Sequence, residues 1–209
     1  MDSARIIEGL APFLGSNALS TEQLAQISAH LELLLKWNPR INLTSIRSAD
    51  LMVSRHFGES LFAASKLKPL VPPAASLVDF GSGAGFPGIP TKIWIPELDV
   101  TLIESREKKA TFLNEVIRTL GLRDVAVANR RAETLGTQAD IVTLRAVEKF
   151  EFALPIAQGL VRPGGMLALL IGSRQVSSAS SFLHQFTWQE PDHIPLSSSR
   201  VLLIGHAPQ

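Results

Sequence analysis

Apolar residues recur at helical spacing through the first third of the chain. Ile6, Ile7, Leu10, Phe13 and Leu14 share one face of a segment that Ser3 can cap and Gly15 can close. Ser20-Thr21-Glu22-Gln23 has the spacing of a capping box, and Leu24, Ile27, Leu31, Leu34 and Leu35 continue that helix to Trp37. Asn38-Pro39 is expected to stop it, because a proline disfavours helical backbone at the residue before it. Residues 41–45 read as a short connector. Helical pattern resumes near Ser48 and runs with breaks to Leu67, and residues 68–75, with three prolines, read as a linker.

From Ser76 the rhythm shortens. Apolar runs at 76–80, 100–104, 125–128, 140–144, 166–171 and 201–204 read as strands. Between them, 106–120 is helical, with Leu113, Val116, Ile117 and Leu120 on one face and Gly121 at its end, and 150–160 is helical too. The Ser-rich stretch 173–189 fits neither pattern. Strands alternating with helices predict an α/β fold, a parallel sheet covered on both faces. The expected division is a helical N-terminal extension, residues 1–70, and one unit formed by residues 71–209.

The 209 residues are 45% hydrophobic and 19% charged, which excludes a wholly disordered chain, and there is no cysteine for a disulfide, a zinc–thiolate site or a thiol nucleophile. Early charges at Asp2, Arg5 and Glu8 and the lack of a ~20-residue apolar run predict a cytoplasmic protein with no membrane span. The formal net charge of +1 hides a local imbalance. Between residues 35 and 70, Lys36, Arg40, Arg47, Arg55, Lys66 and Lys68 face only Asp50 and Glu59. Such a stretch is a solvated helix surface or a face for a polyanion.

The chemistry begins where the first strand ends, at Asp79-Phe80-Gly81-Ser82-Gly83-Ala84-Gly85-Phe86-Pro87-Gly88. Glycines let a backbone turn tightly and approach a ligand. Glu104 ends the second strand, placed to accept hydrogen bonds from the hydroxyls of a ribose. Two cofactors compete for this pattern. Gly83-x-Gly85-x-x-Gly88 fits a dinucleotide fingerprint. Asp79-x-Gly81-x-Gly83-x-Gly85 fits an S-adenosylmethionine loop, in which the acid helps hold the amino-acid part. Glycines directly after the strand, with Pro87 and Pro90 next, favour the second. Arg131-Ala132-Glu133 follows the third strand, where an adenine edge would lie, although Glu133 can equally cap a short helix. Arg145 ends the fourth strand and points toward the same crevice, unless it pairs with Glu148.

With these residues assembled, the chain resembles the bacterial 16S ribosomal RNA guanine-N7 methyltransferases, also called glucose-inhibited division protein B. The likeness runs through Lys36-Trp37-Asn38, Asn42-Leu43-Thr44-Ser45, Arg55-His56-Phe57, residues 79–90, Glu104-Ser105-x-x-Lys108-Lys109, Arg130-x-x-Glu133, Arg145-Ala146, Gly164-Gly165 and Arg200-Val201-Leu202. Three positions depart from the family pattern. Leu144 stands where serine is usual, Ile171 where lysine is usual, and Gly58-Glu59 where a bulky residue and Asp are usual.

The resemblance implies a class I methyltransferase fold, Rossmann-like, with a seven-stranded, mostly parallel sheet. It implies S-adenosylmethionine as cofactor, and 16S rRNA or the small ribosomal subunit as partner. Cofactor contacts are then expected from Asp79, Gly81, Gly83, Gly85, Phe86, Glu104, Ala132, Glu133 and Arg145. Arg145, His56 and Asn42 would position the guanine, and Lys36, Arg40, Arg47, Arg55, Lys108 and Lys109 would meet phosphates. Guanine N7 carries a lone pair and no proton, so no general base and no metal are expected. A monomer without an obligate protein partner is anticipated. Competing readings are a methyltransferase of the same fold acting on a protein or small molecule, an NAD-dependent oxidoreductase, and a ribosome-binding protein without catalysis.

Overall fold

In a computed structural model, which describes residues 1–147 and 149–209, the chain opens with α1 (Ser3–Leu14) and α2 (Thr21–Ile41). The capping box at α2 is present, with Ser20 and Gln23 satisfying each other's backbone N–H groups. The expected stop at Asn38-Pro39 is wrong by one turn. Pro39 sits in the last turn, and the helix ends at left-handed Asn42, whose N–H donates to the Asn38 carbonyl at 3.0 Å. Asn38 also anchors the connector that follows, accepting the Thr44 N–H at 2.9 Å. Next come α3 (Ala49–Met52), a π-turn (Val53–Gly58) and α4 (Glu59–Leu67).

The α/β part follows as β1 (Ser76–Phe80), α5 (Gly88–Trp94), β2 (Asp99–Ile103), α6 (Glu107–Leu120), β3 (Val125–Ala128), a 3₁₀ turn (Ala132–Thr134) and β4 (Ala139–Arg145). It continues with α7 (Phe150–Gly159), β5 (Val161–Gly172), a 3₁₀ turn (Ser173–Gln175), α8 (Val176–Phe182), β6 (Thr187–Trp188), β7 (Asp192–His193) and β8 (Arg200–His206). The sheet order is β3-β2-β1-β4-β5-β8-β6, with β7 also pairing β8. β3, β2, β1, β4 and β5 run parallel, and β8 returns antiparallel. The seventh sheet position is therefore two short pieces. Pro191 lies between them and has no N–H for the ladder.

Alternation along the strands sorts the core into two layers. Met166, Ala168 and Leu170 of β5 join the helices from α1 to α6, whereas Leu167, Leu169 and Ile171 pack with α7 and α8. The N-terminal helices thus share one core with the sheet. In β4 the same alternation puts Val142 and Leu144 under α7 and Ile141 on the side of the N-terminal helices. Thr143 and Arg145 fall on Ile141's side. Leu144, one of the departures, is a core residue on the opposite side. Gly58 is explained by packing, because a Cβ there would lie 2.5 Å from the Phe13 ring. Among the described residues no helix is long and apolar enough to cross a membrane, and no group of three His, Cys, Asp or Glu is placed to hold a metal.

Candidate active site

The C-terminal ends of β1, β2 and β4 meet residues 43–46 and the π-turn around a cleft of about 600 Å³. The glycine loop forms one wall. Gly81, Gly83 and Gly85 all have positive φ, between 57° and 90°. The loop is tied down at Ser82, whose N–H donates to the Ile103 carbonyl at 2.9 Å and whose carbonyl accepts the Gly85 N–H at 2.7 Å. A Cβ on Gly83 would have only the Gly81 carbonyl oxygen near it, at 3.8 Å, so the protein leaves that space open.

Asp79 lies beneath this loop. It is fully buried, accepting the Thr143 hydroxyl at 2.8 Å and the Gly88 N–H at 3.1 Å. Burial pushes its carboxyl up, against hydrogen bonds from Ser82, Thr143 and Gly88. The structure therefore places Asp79 off the cleft wall, bracing the loop against β4 and α5. The same bond disfavours the nicotinamide reading. The first N–H of α5, which a pyrophosphate would use, already meets a carboxylate.

Glu104 fits a nucleoside site. Its Oε1 accepts the Arg106 N–H at 2.7 Å, while Oε2, in a side chain lining the cleft, accepts no bond among the described residues. The Asn129 side chain donates to the Glu104 carbonyl at 2.8 Å and fixes the strand end. An open carboxylate oxygen beside an uncovered glycine turn is the donor–acceptor set that the ribose and amino-acid parts of S-adenosylmethionine require.

The opposite wall carries His56, stacked on Phe86 with centroids 4.9 Å apart. Phe86 also stacks on His30 at 5.0 Å. His30 is buried under the loop, with Nε2 3.0 Å from the Ala84 carbonyl, and burial lowers its pKa to about 4. Burial first, then Arg145 and Arg55, lowers the His56 pKa to about 3, so this ring is neutral near pH 7. Arg145 can only donate. Nδ1 of His56, 3.4 Å from that guanidinium, therefore holds the lone pair, and Nε2–H donates to the Thr44 hydroxyl at 2.8 Å.

Arg145 is itself held by the Arg55 carbonyl at 2.5 Å and by Glu59 at 3.2 Å. Glu59, 1% exposed, also receives Arg55 at 3.0 Å and Arg200 at 2.7 Å. One buried carboxylate thus meets three guanidiniums, a surplus of two positive charges at the cleft's edge. A second cavity of about 240 Å³ opens there, with Arg55, Arg145 and Arg200 on its walls.

A model of the GidB family, rRNA small subunit methyltransferase G, matches residues 23–199. The chain belongs to this family. It is 40% identical over 199 residues to the Ribosomal RNA small subunit methyltransferase G of Chloroflexus aggregans, covering 89% of this chain and 82% of that protein. The protein of the same name from Xanthomonas oryzae pv. oryzae is 40% identical over 161 residues, covering 76% and 74%. That of Roseiflexus sp. is 46% identical over 147 residues, covering 66% of this chain and 60% of the relative. Among solved structures, the YcgJ protein from Bacillus subtilis superposes with a TM-score of 0.60 at 11% identity, covering 74% of this chain and 100% of that one. M. jannaschii TYW2 in complex with AdoMet gives 0.56 at 15% identity, covering 71% and 74%. At such identities these two likenesses speak for the shared fold alone, that of class I methyltransferases.

Within this family member, Gly81, Gly83, Phe86, Glu104, His56, Arg145, Arg55 and Lys109 converge on the cleft. Gly85 supports it from behind, since a Cβ there would lie 2.7 Å from Ile89. Asn42 does not line it. It is the left-handed cap of α2 and accepts from Arg47 at 3.3 Å, while Thr44 from the same motif reaches the cleft. Ala132 and Glu133 line a separate pocket with Pro155 and Ile156. Lys36 lies 3.9 Å from Glu115, and Arg40 and Lys108 are exposed outside the cleft. The Arg145–Glu148 pairing weighed from the sequence lies outside the described residues. Sequence reasoning gave no role to Thr44, His30, Glu59 or Arg200. The i,i+4 spacing of Arg55 and Glu59 was a usable signal, whereas nothing local linked Arg200 to them.

Proposed function

We propose that this protein transfers a methyl group from S-adenosylmethionine to N7 of a guanine in 16S rRNA of the small ribosomal subunit. It does so in the cytoplasm, as a monomer without an obligate protein partner. The observation that carries the reading is the junction of two unlike walls in one cleft. A glycine turn with the half-open carboxylate of Glu104 lies on one side, and neutral His56 and cationic Arg145 on the other, in a chain of this family.

When bound, S-adenosylmethionine supplies an electrophilic methyl group. Glu104 would accept the ribose hydroxyls through its free oxygen, and the loop from Gly81 to Phe86 would hold the amino-acid end. Asp79 acts by holding that loop in shape. Ala132 and the Glu133 region would flank the adenine side, and Lys109 the RNA backbone together with Lys36, Arg40, Arg47 and Lys108.

Methylating N7 releases no proton, so the site needs alignment and exclusion of water more than acid–base chemistry. His56 suits that role, with both ring nitrogens engaged and its face packed on Phe86. Arg145 is placed to meet guanine O6, leaving N7 free to react. Asn42 contributes by shaping the turn that carries Thr44. The test is methyl transfer from labelled S-adenosylmethionine to small subunits lacking the modification, with nucleoside analysis. N7-methylguanosine in the 16S rRNA is expected. Tight cofactor binding with no transfer to the rRNA would refute the acceptor.

A further inference from the structure

Three cavities adjoin one another at the C-terminal ends of the parallel strands. The cleft shares Arg55 and Arg145 with the 240 Å³ cavity, and that cavity shares Phe150 and Gln175 with a third of about 370 Å³. The third lies where the first turn of α7 faces Ser173–Gln175 and α8. Phe152 stands at it with 76% of its surface exposed. The rest of α7 buries Ala153, Leu154 and Ala157, so folding makes no use of this ring. Lys149 and Arg174 flank it, while Glu151, the one carboxylate among the described residues that line it, accepts the Ser178 hydroxyl at 3.0 Å.

We propose that Phe152 is a stacking platform for an unpaired base of the rRNA strand next to the methylated guanine, with Lys149 and Arg174 meeting its phosphates. The inference rests on the rRNA reading above. An exposed aromatic ring between cations is the arrangement that takes single-stranded RNA, because every base offers a π-face and every linkage a negative charge. The middle cavity supplies the route. A strand leaving the cleft passes Arg145 and Arg200, which carry surplus positive charge, before it reaches Phe152. The core of a protein-docking patch is depleted of charged residues, whereas here one ring lies between two cations.

The test compares methyl transfer to small subunits lacking the modification by wild type, Phe152→Ala, Phe152→Trp and Phe182→Ala. The last is a half-exposed control on α8 outside all three cavities. Phe152→Ala should raise KM for the subunit by roughly 5- to 150-fold, the range expected for one stacked base, with kcat and S-adenosylmethionine affinity unchanged. Phe152→Trp should restore KM, and Phe182→Ala should leave it at the wild-type value. A photoreactive phenylalanine analogue at 152 should crosslink to 16S rRNA near the methylated guanine. An unchanged KM in Phe152→Ala would overturn the proposal while leaving the function standing. A crosslink to a ribosomal protein would also overturn it and assign the patch to protein docking. Absence of transfer by the wild type would overturn the function reading and this inference with it.

Discussion

Glu59→Gln replaces the buried carboxylate on which three guanidiniums converge with a neutral amide. Removing one partner from a buried ion pair costs about 3–5 kcal/mol, because the other charge is left without compensation. The guanidiniums are unequally placed: the Arg145 side chain is 12% exposed, Arg200 24% and Arg55 43%. Arg55 can turn to water and contributes like a surface pair, below ~1 kcal/mol. Arg145 cannot, since the Arg55 carbonyl and His56 hold it in place. The glutamine oxygen keeps one acceptor, so the lower end applies, about 3 kcal/mol. For a chain of this size that lowers Tm by roughly 6–12 °C. Urea unfolding near pH 7.5 should show a lower midpoint with an unchanged slope. Arg145 loses its anchor, so kcat/KM for the small subunit should fall as well. In a double-mutant cycle, Glu59→Gln with Arg145→Gln should destabilise less than the sum of the single changes, by ~1 kcal/mol or more. A single mutant within ~0.5 kcal/mol of wild type, or strict additivity, would refute this account of the cluster.

Glu104→Gln keeps the side chain's shape but removes its charge, and should weaken S-adenosylmethionine binding by ~1.5–3 kcal/mol in calorimetry; an unchanged affinity would remove Glu104 from the site. Gly83→Val puts a side chain into space that the protein leaves open, at a φ of 57°. It should abolish cofactor binding while lowering stability by only ~1–3 kcal/mol, and retained binding would disprove the loop assignment. His30 and His56 are held neutral by burial, with pKa values lowered to about 4 and about 3. The unfolded chain, with histidines near 6.5, therefore binds more protons below that pH. Their contribution is complete above pH 6.5 and is lost as pH falls toward 4 and then 3, while Asp79, pushed up by burial, works in the opposite sense. His30→Gln removes one of these groups, so its urea midpoint should fall less than wild type between pH 6.5 and pH 4; parallel curves would show that His30 is not the group responsible.

The parts of the site that were legible in the sequence are those whose partners are local or repeat with the fold. The loop after β1 is self-contained, with its glycines and its bracing Asp79 within ten residues. Glu104 follows from the β-α-β repeat, because parallel strands end on the same side of a sheet. Two-residue alternation even puts Arg145 on the side of Ile141 and Thr143. What Arg145 meets there was not legible. Arg55 comes from a π-turn, Glu59 from the start of α4 and Arg200 from the last strand, and a single π-turn imposes no repeat on the sequence. For the same reason the burial of Asp79 beneath the loop was not legible, since only coordinates show the Thr143 hydroxyl and the Gly88 N–H donating to its two oxygens. The departures from the family pattern then fall into one arrangement. Gly58 makes room for Phe13, which packs α1 against the π-turn. Glu59 reaches all three arginines. Ile171, where the family usually carries lysine, borders the cavity that they line and pairs with Val201 next to Arg200. An ammonium at 171 would add a fourth cation around a single carboxylate. An aliphatic side chain there instead extends the core beneath α7, and leaves Arg55, Arg145 and Arg200 as the cations on the walls of that cavity.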